Sequence, residues 1–370
     1  MKKQATSKSM MKFTTILYAT ALTGMVVLVN ACNKNCEQTR PATTGQAATA
    51  KTASAPVTQT AQGNNDISVV TVAAIRKSGD GKTTEIMFNE KAELFNVTDA
   101  AIIASLQNAL DKGTPVKVTV NPWTATVLAA NSATREEAAR YTGRHIVYSP
   151  TTAHSIDLAT MNDNDINNNV PEMAMINTTT SGLTDVIPDM ATAQLIFDYI
   201  THQCCALPGP YAVDYCISFQ YCEDGCYARA HKMCWILNND YHYATHKIFS
   251  FANAGHDELC VKGEKWGGCC VNWWYHVAPL VNIKTPSGTK AYVFDPAMFD
   301  QPVLLATWLH AQQNPACVPG GDVPHVSMIN IQPTSSYSPS SGSGFTFDTD
   351  PTYSSTDATL TSYAPRITCP

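Results

Sequence analysis

The distribution of cysteine constrains this 370-residue chain more than any other feature. Of its 13 cysteines, two lie at positions 32 and 36, none lies between 37 and 203, and all the others follow. Cysteine-rich chains of this kind form disulfides in oxidising compartments outside the cytoplasm. The second half is therefore predicted to fold around disulfides. Because it holds an odd number of cysteines, one thiol there is predicted to stay unpaired.

The N-terminus indicates export. Residues 1–31 combine several lysines with an apolar run that ends in small residues, which is typical of a bacterial signal peptide. The letters "VNAC" at its end resemble a lipoprotein signal, so Cys32 is a candidate for lipidation and membrane anchoring. Loss of Cys32 with the signal, or its pairing with Cys36, stays open. The chain is expected to be secreted, or held as an outer-membrane or cell-surface lipoprotein before processing.

The rest of the first half divides into a tether, a small domain and a connector. Residues 32–66 are a low-complexity tether rich in Thr, Ala and Gln. Residues 67–160 alternate between strand-like and helix-like segments, including a helix with Thr98 as N-cap and Gly113 at its end. Residues 161–182 are crowded with Asn, Asp and Thr and are predicted to be an exposed linker that a protease cleaves.

Residues 183–370 form the predicted second domain. Helices are predicted over 189–203 and 226–239, a strand over 216–221, and a strand pair over 273–284 and 290–296 joined by the turn "TPSG". A Ser/Thr/Pro/Tyr-rich loop is predicted beyond residue 333. This domain carries an excess of acidic side chains, whereas residues 1–182 are weakly basic. That difference fits a leading domain that lies on the second one, although solvated charges explain it equally well.

A short motif, "EDGCYARAHKM" at 223–233, places Cys226 at the start of a predicted helix. The unpaired N–H groups and the dipole of a helix N-terminus stabilise a thiolate and can later hold an oxyanion. Cys226 is therefore a candidate nucleophile. The competing interpretation is that it is one more disulfide partner in an exported protein.

A cysteine nucleophile needs a base, and the base needs an orienting group. His231 lies five residues along the same helix and faces away from Cys226, so it is predicted to be a structural histidine at the helix surface. His276 and Asp295 belong to two strands that are predicted to pair, which would place both side chains on one face of the sheet, one or two pleats apart. A bulge or strong twist must close the gap between them. The alternative, a buried structural histidine and a turn-forming aspartate, stays open.

Other functional classes find less support in the sequence. The formal charge of −6 gives no basic footprint for nucleic acid. No cysteine or histidine pair has the spacing of a zinc site, and disulfides are favoured for the "CC" pairs. Asp163 and Asp165 are spaced as in a calcium loop, but the turn glycine and the final carboxylate of such a loop are missing. No metal site is predicted.

The motifs "DGCYARAHKM", "VIPD", "YHVA" and "DP" in this order resemble the bacterial protein-glutaminase family, and the likeness extends into "TEIMFNEKAELFNV" of the first domain. The resemblance implies an α/β (α+β) fold like papain and transglutaminases, with a central antiparallel sheet and the nucleophile at a helix N-terminus. It implies a catalytic triad of Cys226, His276 and Asp295, and no cofactor. It also implies that residues 67–160 are an inhibitory pro-domain, which an activating protease removes.

The same resemblance implies that the enzyme converts exposed glutamine side chains of proteins or peptides to glutamate through a thioester, releasing ammonia. Trp273, Trp274 and Tyr275 are expected to line the glutamine pocket, or else to be scaffold. A transglutaminase or a papain-like cysteine peptidase would use the same triad. A non-catalytic, disulfide-rich surface protein would instead hold Cys226 in a bridge.

Overall fold

The computed structural model describes most of the chain from residue 65 to residue 366. The residues not described within that span are 80, 123, 143–145, 149–152, 156, 157, 159, 169–181, 206–213, 222, 254–257, 264, 266, 267, 318–322, 341, 343 and 344. The predicted signal peptide, Cys32 and nearly all of the tether lie outside the described residues. In the part that is described, no helix is long and apolar enough to cross a membrane.

Seven α-helices lie in the described part. Their bounds are α1 (Ala100–Lys112), α2 (Arg135–Thr142), α3 (163–168), α4 (Met190–His202), α5 (Cys226–Asn239), α6 (Leu305–His310) and α7 (Ser354–Tyr363). Helix α1 ends as predicted at Gly113, which has a left-handed backbone (φ 59°). Its N-cap is Asp99 and not the predicted Thr98, because the Asp99 carboxylate accepts the backbone N–H groups of Ala101 and Ile102.

Seventeen strands are described. Their bounds are β1 (Asp66–Val70), β2 (Val72–Lys77), β3 (Thr84–Phe88), β4 (Lys91–Val97), β5 (Val116–Asn121), β6 (Thr126–Ser132), β7 (Ile146–Tyr148), β8 (Ala153–Ser155), β9 (His246–Phe251), β10 (Leu259–Gly263), β11 (Cys269–Trp273), β12 (Tyr275–Thr285), β13 (Gly288–Val293), β14 (Val303–Leu304), β15 (Met328–Pro333), β16 (Ser336–Pro339) and β17 (Thr346–Thr349).

The strands form three sheets. The first contains β1 to β6 together with β10 and β11, the second has the order β14-β13-β12-β9-β15-β8, and the third has the order β16-β17-β7. The pairing is antiparallel except between β4 and β6. The predicted α/β class with antiparallel sheets is confirmed.

Strands from the predicted pro-domain take part in every sheet. Strand β4 meets β11 where Glu93 lies opposite Trp273. Strand β7 pairs with β17, and β8 pairs with β15 at the edge of the second sheet. The predicted pro-domain over residues 67–160, called the leading segment below, is thus held by backbone hydrogen bonds to the predicted catalytic domain. The boundaries drawn at residues 160 and 183 remain predictions.

Strand β4 also connects the two larger hydrophobic clusters among the described residues. Successive side chains of a strand point to opposite faces. Phe95 and Val97 pack into a cluster formed by α1 and strands of the first sheet. Ala92 and Leu94, on the other face, belong to the large cluster that includes Cys226 and most of the buried hydrophobic residues described in the predicted catalytic domain. The leading segment therefore shares the core of the region that it covers.

Three segments differ from the predictions. Within the linker predicted over 161–182, residues 163–168 form helix α3, where Ile166 and Asn167 are buried although residues 162–165 and 168 are exposed as predicted. Residues 169–181 are outside the described part. Residues 216–221 make one isolated bridge and turns where a strand was predicted. The loop predicted after residue 333 contains β16, β17 and α7. Their order comes from partners distant in sequence, since β17 lies between β16 and β7.

Candidate active site

Helix α5 begins at Cys226, as its sequence predicts. The preceding Gly225 adopts a left-handed backbone with φ 87°, which glycine reaches without steric cost. A Cβ at that position would lie 2.9 Å from the ring of Tyr363. Gly225 therefore allows both the sharp entry into the helix and the close approach of α7. The thiol consequently sits at the first position of a rigid helix.

Cys226 is unbridged and only 2% exposed. Burial raises the pKa of the thiol well above its ordinary value, and the carboxylates of Asp224 and Asp295 raise it further. The Arg229 guanidinium and a backbone hydrogen bond from Val277 act in the opposite direction. The group expected to be a thiolate is therefore a neutral thiol in this structure.

His276 and Asp295 are in direct contact. His276 Nε2 lies 2.8 Å from Asp295 Oδ2, and both side chains are buried. The ladder between β12 and β13 ends at the pair Leu280 and Val293. Beyond it the chain turns, with the carbonyl of Asp295 accepting the N–H of Met298. Because the chain leaves the sheet here, the side chain of Asp295 reaches His276, which regular strand pairing would have kept beyond hydrogen-bond distance.

The other nitrogen of the imidazole is unoccupied. His276 Nδ1 is buried and has no hydrogen-bond partner among the described residues. The sulfur of Cys226 takes its backbone bond from Val277, the residue that follows His276. The thiol and imidazole are thus not hydrogen-bonded to each other here. The nitrogen that faces no partner is the one a general base would use.

Two indole rings enclose the imidazole. Trp273 stacks on His276 with ring centroids 4.4 Å apart, and Trp308 lies on it at 5.4 Å. The Trp308 indole also donates to Asp295 at 2.9 Å. Burial alone would raise the pKa of Asp295, but the charge and hydrogen bond of His276 and the bond from Trp308 hold it below its ordinary value. Sequence reasoning missed Trp308, because no spacing relates it to the other residues.

The predicted pocket residues Trp273, Trp274 and Tyr275 are all buried. The Trp274 indole donates to the backbone carbonyl of Lys91, in the leading segment, at 2.7 Å. The hydroxyl of Tyr275 has no hydrogen-bond partner among the described residues. Burial raises the pKa of Tyr275 far above its ordinary value, and the nearby Cys226 adds to the effect. The phenol is therefore a neutral donor close to the thiol.

His231 does not lie at the helix surface, where it was predicted, but is 2% exposed. Its Nε2 binds the backbone carbonyl of Asp350, and its Nδ1 binds the ammonium of Lys247. Its buried position comes from α7 and β16, which the sequence did not predict. Because five residues of helix separate the two, the side chain of His231 projects from α5 in a different direction from that of Cys226, as expected.

Disulfides join Cys205 to Cys216 and Cys270 to Cys317. Cys204 and Cys269 are also disulfide-bonded. Cys226 and Cys234, both on α5, remain buried thiols. A surface protein that holds Cys226 in a bridge is thus incompatible with the structure. Among the described residues, no group of three or more His, Cys, Asp or Glu side chains is arranged to hold a metal ion.

Comparison with known proteins assigns the family. The family model described as Glutaminase matches residues 193–312, a span that contains Cys226, His276, Asp295 and Trp308. The chain is similar to the crystal structure of pro-protein-glutaminase, with 26% identity over 82% of this chain and 95% of that chain and a TM-score of 0.59. The chain belongs to the protein-glutaminase family. It is a deamidating hydrolase that acts on amide C–N bonds.

Two further protein-glutaminase structures match the chain. A mutant of pro-protein-glutaminase gives 26% identity over 83% of this chain and 95% of that chain, with a TM-score of 0.60. The NMR structure of protein-glutaminase from Chryseobacterium proteolyticum gives 35% identity over 50% of this chain and 93% of that chain, with a TM-score of 0.42. A search among curated proteins gave no match.

Proposed function

We propose that this protein-glutaminase deamidates glutamine side chains of proteins and peptides through a triad of Cys226, His276 and Asp295. One observation carries the proposal. A buried, unbridged thiol at the start of α5 accepts the backbone N–H of Val277, the residue after His276. One imidazole nitrogen of His276 binds a carboxylate, and the other has no partner among the described residues. This is the arrangement that a nucleophile, a base and an orienting group require.

The reaction proceeds in two halves. The Cys226 proton moves to Nδ1 of His276, and the sulfur attacks the carboxamide carbon of a bound glutamine. The backbone N–H of Cys226 stabilises the oxyanion, a contribution of about 3 kcal/mol per donor. The imidazolium then gives its proton to the amide nitrogen, the C–N bond breaks, and ammonia leaves a thioester.

Water completes the cycle. It gives a proton to His276 and attacks the thioester, the C–S bond breaks, and the sulfur regains a proton as glutamate is released. Asp295 keeps Nε2 of the imidazole as a donor throughout, which leaves Nδ1 to accept and return the proton. Trp273 and Trp308 hold the ring plane. The unpartnered hydroxyl of Tyr275 is a donor for the glutamine carboxamide.

The leading domain acts as an inhibitor in this proposal. Strand β4 begins between Asp224 and Trp274, which lie two residues before Cys226 and His276 respectively. A substrate cannot occupy that space while β4 is there. Burial raises the pKa of the thiol while the leading segment is in place, so the thiol stays neutral in this form. Removal of the domain by a protease that cuts within residues 161–182 admits both substrate and water.

Export also belongs to the proposal. The signal-like residues 1–31 and the disulfides support folding outside the cytoplasm. Lipidation of Cys32 would anchor the uncleaved protein to a membrane through the tether over residues 32–66. Cleavage in the linker would then free the catalytic domain from that anchor, so activation and release would be one event.

Ammonia release tests the proposed nucleophile. The full-length chain, activated by limited proteolysis, is incubated with a glutamine-rich protein, and ammonia and the mass of the product are measured. We expect one ammonia for each glutamine that becomes glutamate. Cross-linking would instead indicate a transglutaminase, and chain cleavage a peptidase.

A matched pair of variants completes the test. Cys226→Ser is expected to abolish ammonia release, because a serine hydroxyl is far less nucleophilic than a thiolate. Cys234→Ser changes the other buried thiol on the same helix and is expected to leave the rate nearly unchanged. Full activity of Cys226→Ser would exclude this mechanism.

A further inference from the structure

The carboxylate of Asp224 is buried two residues before Cys226, and the leading segment reaches it. One carboxylate oxygen accepts the backbone N–H of Ala92 at 2.8 Å. The other accepts the phenols of Tyr363 at 2.6 Å and Tyr227 at 3.3 Å, and it lies 3.5 Å from the ammonium of Lys91. Asp224 is 2% exposed and Lys91 is 7% exposed, so this ion pair lies away from solvent.

The same short segment is bound from its other side by Trp274. The backbone N–H of Trp274 donates to the carbonyl of Ala92 at 3.0 Å, and its indole donates to the carbonyl of Lys91. Both backbone polar groups of Ala92 are therefore bound. Its partner Asp224 lies two residues before Cys226, and its partner Trp274 lies two residues before His276.

We propose that Asp224 and Tyr363 form a subsite for a basic side chain on the residue immediately before the reactive glutamine. The inference rests on the proposed function. Because Ala92 lies between the elements that carry the thiol and the imidazole, a reacting glutamine takes its position, and the preceding residue takes the position of Lys91. The favoured substrates are therefore proteins with Lys-Gln or Arg-Gln in an accessible segment.

The energetics of Asp224 explain the preference. When the leading segment departs, the carboxylate keeps the phenols of Tyr363 and Tyr227 but loses the Ala92 N–H and the Lys91 ammonium. Loss of an ion-pair partner is costly for a buried carboxylate, so a substrate that restores both the N–H donor and the cation gains the most. An acidic residue at the same position would place two like charges together. The phenol is held in place because the Tyr363 ring packs directly against Gly225.

A peptide series measures the preference. Four peptides that differ only in the residue before glutamine, namely Lys, Arg, Ala or Glu, are given to the full-length chain after limited proteolysis, and kcat/KM for ammonia release is determined. We expect the Lys and Arg peptides to exceed the Ala peptide by about tenfold, with the Glu peptide lowest. The preference should weaken as salt concentration rises.

Two variants assign the preference to this carboxylate. Asp224→Asn keeps the shape but removes the charge, so the ratio between the Lys and Ala peptides is expected to fall towards one. Asp240→Asn makes the same change at the other end of α5 and is expected to keep the full ratio. Tyr363→Phe removes a hydroxyl that lies 3.2 Å from the Lys91 ammonium, and should reduce the ratio partly even if Asp224→Asn does not fold.

The outcomes separate this inference from the function on which it rests. Equal kcat/KM for all four peptides would overturn the subsite and leave the deamidase activity in place. An unchanged Lys preference in Asp224→Asn would also overturn it. Ammonia release from none of the peptides, with an intact and processed protein, would contradict the proposed function itself.

Discussion

Two buried histidines in this molecule differ in the charge of the neighbour that holds them. His276 is 1% exposed and bonds through Nε2 to the carboxylate of Asp295. His231 is 2% exposed and bonds through Nε2 to a backbone carbonyl, while the ammonium of Lys247 occupies its Nδ1. Burial lowers the pKa of His231 to about 2, and the Lys247 charge contributes.

The difference shows what makes a buried histidine useful for proton transfer. An ammonium can only donate, so Nδ1 of His231 must accept, and its ring is fixed as a neutral tautomer. A carboxylate can only accept, so Nε2 of His276 donates and Nδ1 is left to exchange a proton. The same side chain at similar burial is therefore a structural part in one place and a base in the other.

The largest expected effect comes from replacing each histidine by the same residue. His276→Gln should lower kcat for ammonia release roughly a thousandfold or more, because it removes the base that is proposed to take the thiol proton. His231→Gln should leave kcat of the folded fraction close to normal and lower the thermal midpoint. Similar losses of kcat in both variants would contradict the distinction between the two sites.

The decrease of the unfolding free energy at acid pH should reveal the suppressed protonation of His231. Between pH 6.5 and about 2 the unfolded chain protonates His231 and the folded chain does not. Its contribution is therefore intact above pH 6.5 and is lost as the pH falls, by about 1.4 kcal/mol per pH unit. Thermal unfolding of the full chain across this range measures the slope. His231→Gln should flatten it, and an identical slope in that variant would rule His231 out as the cause.

The smallest expected effect concerns the indole beside the first histidine. Trp308→Phe keeps an aromatic ring on His276 but removes the N–H that Asp295 accepts, and should lower kcat by about tenfold. The acid limb of kcat/KM should move to higher pH, because Asp295 loses a bond that lowers its pKa. Trp235→Phe, at a half-buried position on α5, is the control. An unshifted pH profile would indicate that Trp308 contributes packing alone and does not influence Asp295.

The sequence predicted the parts of the site that depend on local signals. Gly225 and the run after Cys226 define the start of α5, and the turn between β12 and β13 sets the register that brings His276 near Asp295. Spacing alone left the roles of His276 and Asp295 open, and the family resemblance supplied their assignment to a catalytic triad. Trp308 and Lys247 reach their histidines only through tertiary packing, so no local pattern marks them.

The same limit applies to the fold. The end of α1 at Gly113 depends on a signal within the last turn of the helix and was predicted, whereas its N-cap was placed one residue early, at Thr98. Strands β16 and β17 and helix α7 have weak patterns of their own and are ordered by distant partners. The insertion of β4 beside β11 joins residues far apart in sequence, which no periodicity indicates.

The bridge between Cys270 and Cys317 closes a loop across 47 positions that contains His276, Asp295 and Trp308. A cross-link of that span removes about 4 kcal/mol of chain entropy from the unfolded state. A chain synthesised in a reducing cytosol would lack this constraint on three neighbouring groups at once. Recombinant production should therefore direct the protein to an oxidising compartment, where loss of ammonia release on treatment with a thiol reductant would report the dependence.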